Sequence, residues 1–381
     1  MGRLAAFILV AGLALTACQG VPEQGAPAPI LQKPPGSLSD AGGDAPDASV
    51  QDTDGGSSST GGDAGVPDAG PVPAGGPVYD AGTAGNGNAT IGPAYADSSE
   101  LSPPADAPRG TVYRFTMSSE DSVIYPGLTG AYTRGIAVYI PKQYVDGAPA
   151  PFMVVQDGSG FVDDMKDALD TLIHKKAAPH VVVIFVNSGG GDGRGSERGL
   201  EYDRVSAHYT QFIETEVLPA VRGNSAIKAA YPKLTFTTDP EGRGSMGCSS
   251  GGAAAFTMGW FHPELYRRIL TYSGTFVNQH PEAAYPGSAL EYHQKLIAAA
   301  EAKPLRVFLQ VGSRDLNLDD RFGDKMHNWM TANKAMAARL AEKGYPYQFL
   351  YAEDAAHCDG RVRRQTLPDA LRWLWRGFPV P

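Results

Sequence analysis

From residue 109 onward, apolar positions fall into runs of strand length that alternate with stretches of helical period. The segments 111–117 (TVYRFTM) and 134–140 (RGIAVYI) alternate polar and apolar residues, which predicts antiparallel strands. The runs 151–157 (PFMVVQD) and 180–187 (HVVVIFVN) are continuously apolar and β-branched, as strands buried on both faces are. Between them DDMKDALDTLIHKK (163–176) has a helical pattern. So does SAHYTQFIETEVLPAV (206–221), with Phe212, Ile213, Val217 and Leu218 at helical spacing. LRVFLQVG (305–312) and YQFLYAE (347–353) predict two more buried strands. They are parted by a helix over 331–344 that Gly344 is placed to end. The last segment, LPDALRWLWRGF, predicts a short amphipathic helix. The alternation predicts a mostly parallel sheet with helices on both faces, an α/β fold whose ligands bind at the carboxyl ends of the strands.

The first 108 residues have none of this periodicity. Residues 1–17 combine Arg3, an apolar core from Leu4 to Leu15 and a small-residue exit, the form of a signal peptide. The core is shorter than the ~20 residues a membrane span needs. Its end, Leu15-Thr16-Ala17-Cys18, resembles a bacterial lipoprotein cleavage box, which implies lipid on Cys18. Gln19 follows rather than Asp, so in a Gram-negative cell the resemblance implies the outer membrane or cell surface. The catalytic domain would then lie in the periplasm or outside. Residues 18–108 are rich in Gly, Ala, Pro, Ser and Asp, and 19–108 hold neither Trp nor Phe. Such a segment cannot bury enough surface to offset its chain entropy, so a disordered tether is expected, with a mean reach of roughly 50–60 Å. The expected organisation is signal peptide 1–17, lipidated tether 18–108 and one domain over 109–381.

Charge divides at the same place. Residues 19–108 carry twelve acidic side chains against Lys33 alone; with Arg3 also set aside, 29 of the chain's 41 acidic residues and 30 of its 32 basic ones fall in 109–381. The net charge of −9 therefore belongs to the tether. The near-neutral domain lacks the clustered excess of Lys and Arg that a nucleic-acid surface needs.

Candidate chemistry centres on GRGSMGCSSGG (242–252). A serine nucleophile must stand on a tight turn beside a base, and a strand–Ser–helix elbow crowds the positions two before and two after it, hence G-x-S-x-G. Ser245 and Ser250 each lack one flanking glycine. Ser249 has both, Gly247 and Gly251, and the small residues 252–255 let a following helix pack close. In this fold the nucleophile precedes an acid and then a histidine along the chain. Asp315 follows the buried strand LRVFLQVG, and His357 lies in the loop after YQFLYAE. Asp319, Asp320 and Asp354 remain alternatives for the acid, and His327 is a second candidate base. His174, His208 and His293 fall in helical patterns, while His262 and His280 come too early in the order. DLNLDD lacks the Gly and Glu of a calcium loop, having Asp320 and Met326 there. The glycine-rich 187–199 has no P-loop lysine. This chemistry requires neither metal nor cofactor. The strand into the elbow, Arg243-Gly244-Ser245-Met246, is unusually poor in apolar residues.

The chain resembles the esterase family of α/β-hydrolase fold that includes the enterochelin (enterobactin) esterases. The resemblance runs from about Thr111 to Phe378. It rests on MVVQDG (153–158), ERGLEYD (197–203), GCSSGGAAAF (247–256), KPLRVFLQVGSRDL (303–316) and LPDALRWLWR (367–376). It implies a serine esterase with Ser249 as nucleophile, His357 as base and Asp315 as acid. It further implies an oxyanion hole from the backbone N–H of Ser250 with that of Gly158 or Ser159, and substrate contacts at Arg198, Glu201 and Tyr202. The family's cytoplasmic enterochelin esterases carry a sizeable N-terminal domain where this chain has a tether. That departure keeps a second reading open, a carbohydrate esterase removing acetyl or feruloyl groups from polymers. A third is an inactive fold used as a surface binding module. A lipase is disfavoured, since no apolar lid is evident. Cys248 precedes Ser249 and Cys358 follows His357, so if these two form a triad with Asp315 the cysteines lie in one neighbourhood, either as free thiols or as a disulfide.

Overall fold

The computed structural model describes residues 80–193, 195–278, 287–319 and 326–381. The expected signal peptide, Cys18 and the tether up to residue 79 lie outside the described residues, as do Asp320 and His280.

Nine strands form one sheet. In chain order they are β1 (Gly87–Ile91), β2 (Thr111–Ser118), β3 (Thr133–Ile140), β4 (Phe152–Gln156), β5 (Val182–Val186), β6 (Arg243–Cys248), β7 (Arg268–Tyr272), β8 (Arg306–Arg314) and β9 (Tyr347–Ala356). Across the sheet they run β1-β9-β8-β7-β6-β4-β5-β3-β2. β2 pairs antiparallel with β3, and β3 with β5; the remaining pairs are parallel. β4, apolar up to its last residue Gln156, and the all-apolar β5 are buried along their whole length, which is why their sequences do not alternate.

The helices cover both faces. α1 (Val162–His174) buries Met165, Ala168, Leu169, Leu172 and Ile173 on one stripe and places Asp163 and Asp164 in its first turn, where the helix dipole favours negative charge. α2 (Glu197–Tyr202) and α3 (His208–Phe212) follow, and α3 runs through a π-turn (Ile213–Val217) into Leu218–Gly223. α4 (Ser250–Phe261), α5 (Trp329–Glu342) and α6 (Gly360–Trp375) complete the set used below. Three large clusters of buried side chains fill the interior.

Three elements differ from the sequence expectation. Residues 80–108 belong to the domain and not to a tether. β1 pairs in parallel with β9 from Gly87↔Gln348 to Ile91↔Ala352, Trp373 Nε1–H donates to Asn86 Oδ1 at 3.0 Å, and Glu100 pairs with Lys175 and Arg372. This edge strand is held by backbone and polar contacts, so it leaves almost no hydrophobic signature. β7 (RILTY) separates β6 from β8 and is not among the expected strands. α6 starts at Gly360, not near Leu367, because its first turns are polar outside and held by ion pairs from Arg363 and Arg364 to Asp164.

Candidate active site

β6 lies at the centre of the sheet between β4 and β7, and every residue in it is buried. Its poverty in apolar residues has a packing cause. Ser245 Oγ donates to the Ala255 carbonyl of α4 at 2.8 Å. A Cβ on Gly244 would press on the Arg268 carbonyl and Met153 at 3.2 Å, and one on Gly247 would lie 2.3 Å from the Gly251 backbone. The Arg243 guanidinium lies over the rings of Phe152 and Tyr266 at 4.9 and 4.7 Å and pairs with Glu214. The strand is small because α4 crosses almost in contact with it.

That closeness produces the elbow. Ser249 sits between β6 and α4 with φ 59° and ψ −130°, a conformation nearly reserved for glycine. Such strain costs about 1–3 kcal/mol and persists only where the surroundings over-determine it. Here they do: the Ser249 N–H donates to Tyr272 O at 3.0 Å, and its carbonyl accepts from the N–H groups of Gly252, Ala253 and Thr275. The next residue, Ser250, opens α4, so its N–H has no partner within the helix.

His357 and Asp315 arrive from the carboxyl ends of β9 and β8. His357 Nδ1 and Asp315 Oδ1 are 2.6 Å apart, and the Asp315 side chain is fully buried. The same Oδ1 accepts the Leu316 N–H at 2.7 Å, while Oδ2 is buried with no partner among the described residues. The other candidate acids stand elsewhere: Asp354 pairs with Arg314 at 3.1 Å, and Asp319 is exposed. Ser249 and His357 both line one open cleft of about 460 Å³, with no hydrogen bond between them. Asp157, Phe161, Asp192, Arg198 and Arg363 line it too.

A disulfide joins Cys248 to Cys358, with Cα atoms 6.1 Å apart. It ties the residue before Ser249 to the residue after His357 and closes a loop of 110 residues. In the chain-entropy account a loop of this size is worth up to about 4.7 kcal/mol, with 2–5 typical for native bridges. At roughly 2–4 °C per kcal/mol, the Cys248→Ala/Cys358→Ala double variant is expected to melt about 5–15 °C lower. Differential scanning calorimetry with and without reductant measures this; a shift below 2 °C would mean the bridge adds nothing to stability.

The resemblance-derived contacts divide. Arg198 faces the cleft, held by Asp157 at 2.8–2.9 Å and Asp192 at 2.7 Å. Glu201 and Tyr202 do not reach it, each being 1 % exposed. Glu201 pairs with buried Arg134 at 2.6 Å and accepts from Tyr132 and the Gly189 N–H. Burial pushes its carboxyl above the usual range, and Arg134 pulls against that. The Tyr202 hydroxyl donates to Val186 O and accepts the Asp157 N–H. Both residues support the loops that carry Arg198 and Asp157. Ser159 is also turned away. Its N–H donates to Asn187 Oδ1 at 3.0 Å, and it lines a separate cleft with Arg114 and Phe115. Gly158 must remain glycine, since a Cβ there would lie 2.4 Å from Phe185. Two residues near Ser249 carry no signal in the sequence. Arg363 lines the cleft from α6, and Thr275 Oγ1 lies 3.3 Å from Ser249 Oγ. Neither stands in a motif.

Among the described residues no group of His, Cys, Asp and Glu could hold a metal ion, and no helix is long and apolar enough to cross a membrane.

Comparison with known proteins agrees with this architecture. A family model described as "Putative esterase" matches residues 131–374. The uncharacterised protein YbbA of Bacillus subtilis (strain 168) is 23 % identical over 260 residues, covering 64 % of this chain and 94 % of that protein. Among solved structures, a ferulic acid esterase superposes with a TM-score of 0.53 at 18 % identity, covering 71 % of this chain and 99 % of its own. The enterobactin esterase of Shigella flexneri, in the presence of enterobactin, superposes with a TM-score of 0.51 at 22 % identity. The match covers 72 % of this chain and only 61 % of that one. These likenesses show the α/β-hydrolase fold.

Proposed function

The chain belongs to that esterase family and is a carboxylic ester hydrolase, and from this premise we propose that it acts through Ser249, His357 and Asp315 by way of an acyl-enzyme. The observation that carries the reading is the strained elbow of Ser249 in the same cleft as a His357–Asp315 pair at 2.6 Å. His357 takes the Ser249 proton as Oγ attacks the ester carbonyl. Asp315 holds the imidazole with Nδ1 protonated and stabilises the imidazolium that forms. The N–H groups of Ser250 and Gly158 receive the oxyanion, and water activated by His357 then releases the acid.

The cleft itself favours the second substrate reading, an acetyl or feruloyl ester on a carbohydrate, over a large siderophore. It is open and rimmed by Asp157, Asp192, Arg198 and Arg363, with Phe161 as its one aromatic side chain among the described residues. Charged groups that are already paired suit hydroxyl-rich partners. The chain also matches only part of the enterobactin esterase's length. Lipid on Cys18 and a tether at the outer membrane would bring such a domain to extracellular polymers.

Two measurements test this. A fluorophosphonate probe should label Ser249 covalently. Absence of labelling would favour the inactive binding module. A panel of short-chain nitrophenyl esters, acetyl-xylan, feruloyl esters and ferric enterobactin should give its highest kcat/KM on a carbohydrate ester, and a clear preference for enterobactin would reverse the substrate reading.

A further inference from the structure

We infer that Thr275 is a further catalytic residue, donating its hydroxyl proton to Ser249 Oγ, with Trp329 as a neighbour that can donate to Thr275 but cannot accept from it. The inference rests on Ser249 being the nucleophile.

Thr275 is 1 % exposed and lies just beyond β7, so its hydroxyl cannot turn to water. Two groups are in reach of Oγ1: Ser249 Oγ and Trp329 Nε1, each at 3.3 Å. An indole N–H can only donate. Trp329 therefore fills one Thr275 lone pair, and the Thr275 proton has a single acceptor among the described residues, Ser249 Oγ. The opposite direction, Ser249 donating to Thr275, would leave the Thr275 proton buried without an acceptor, and an unsatisfied buried polar group costs about 1–3 kcal/mol. The direction is thus set by donor inventory. It leaves the Ser249 proton pointing into the cleft that holds His357.

The parts are rigidly placed. The Thr275 N–H donates to the Ser249 carbonyl at 3.0 Å, so hydroxyl and elbow move together. The Asn333 amide donates to Gly274 O at 2.8 Å and to Trp329 O at 2.9 Å, pinning the start of α5 to the Thr275 loop. The Trp329 ring also meets the His357 ring edge-on at 5.8 Å. One buried indole thus donates to Thr275 and packs against the base.

The hydrogen bond acts where Oγ is most negative. In acylation the Oγ–H bond breaks, the proton passes to His357 Nε2, the Oγ–C bond forms and the carbonyl electron pair moves onto oxygen. The pair then returns, the ester C–O bond breaks and the alcohol leaves with the proton from His357. In deacylation water gives a proton to His357 as its oxygen bonds the acyl carbon. The Oγ–C bond then breaks, its electron pair returns to Oγ, and His357 returns the proton to Oγ. A donor on Oγ stabilises both passages.

Thr275→Val keeps the shape and removes the donor. We expect kcat and the rate of fluorophosphonate labelling to fall about tenfold with KM unchanged, and Thr275→Ser to restore both within twofold. Wild-type labelling and kcat in folded Thr275→Val overturn the inference. If Thr275→Val does not fold, Thr275→Ala decides, since it too removes the donor: labelling should slow about tenfold, whereas an unchanged rate overturns the inference. Activity surviving Ser249→Ala would instead overturn the nucleophile reading.

Discussion

Ser249→Ala is expected to lower kcat/KM on a short nitrophenyl ester by a factor on the order of 10⁴–10⁶ while leaving the fold intact. With Ser249 as the proposed nucleophile, its removal leaves only what the oxyanion hole and binding supply. A loss below tenfold would show that another group attacks the ester. A companion variant separates chemistry from strain. At φ 59°, ψ −130° any L-residue is strained, and alanine keeps that strain. Ser249→Gly removes it, so this variant should be as inactive as the alanine one yet more stable, by up to the ~1–3 kcal/mol such a conformation costs. Calorimetry on the three proteins reads the difference directly. A glycine variant less stable than the alanine one would mean that the elbow is held without strain.

What the sequence makes legible here follows from burial. β5 is apolar throughout, and β4 up to its last residue, because both faces are covered, and their pattern is unmistakable. The candidate triad is legible for a related reason. In a parallel sheet, residues just past strand ends collect on one edge, so Asp315 after β8 and His357 after β9 are confined to the edge that carries Ser249. The nearness of Cys248 and Cys358 is a corollary of that arrangement, and it is where the disulfide forms.

What was hidden depends on side-chain direction and on backbone pairing. β1 joins the sheet edge with three of its five residues exposed, so GNATI looks like linker. The motif ERGLEYD does not reveal that Arg198 points to the cleft while Glu201 points to Arg134, because successive residues of a short helix face different ways. Ser159 and Gly158 were equivalent until Asn187 claimed the Ser159 N–H. Thr275 stands in TYSGT, a segment with no pattern, and acquires meaning only from a proton that has one place to go.

The second large effect concerns Asp315, and its surroundings set the size. Asp315→Ala removes the partner of His357 Nδ1, frees the imidazole to take the wrong tautomer and leaves the imidazolium uncompensated. A fall in kcat of about 10⁴ is expected, by analogy with the acid of other serine-hydrolase triads. Asp315→Asn should fall less far. The atom at Oδ1 accepts from both His357 Nδ1–H and the Leu316 N–H, so an amide turned with nitrogen there would set two donors against each other. The backbone N–H of Leu316 therefore selects the rotamer with the amide oxygen toward His357, which preserves the productive tautomer. What is lost is the negative charge. What is added is an NH₂ at the buried Oδ2 position, which has no partner among the described residues and costs about 1–3 kcal/mol of stability. The asparagine variant should thus retain at least tenfold more activity than the alanine variant while melting below wild type. Equal losses in the two variants would mean that the charge of Asp315, rather than its hold on the histidine tautomer, carries its whole contribution.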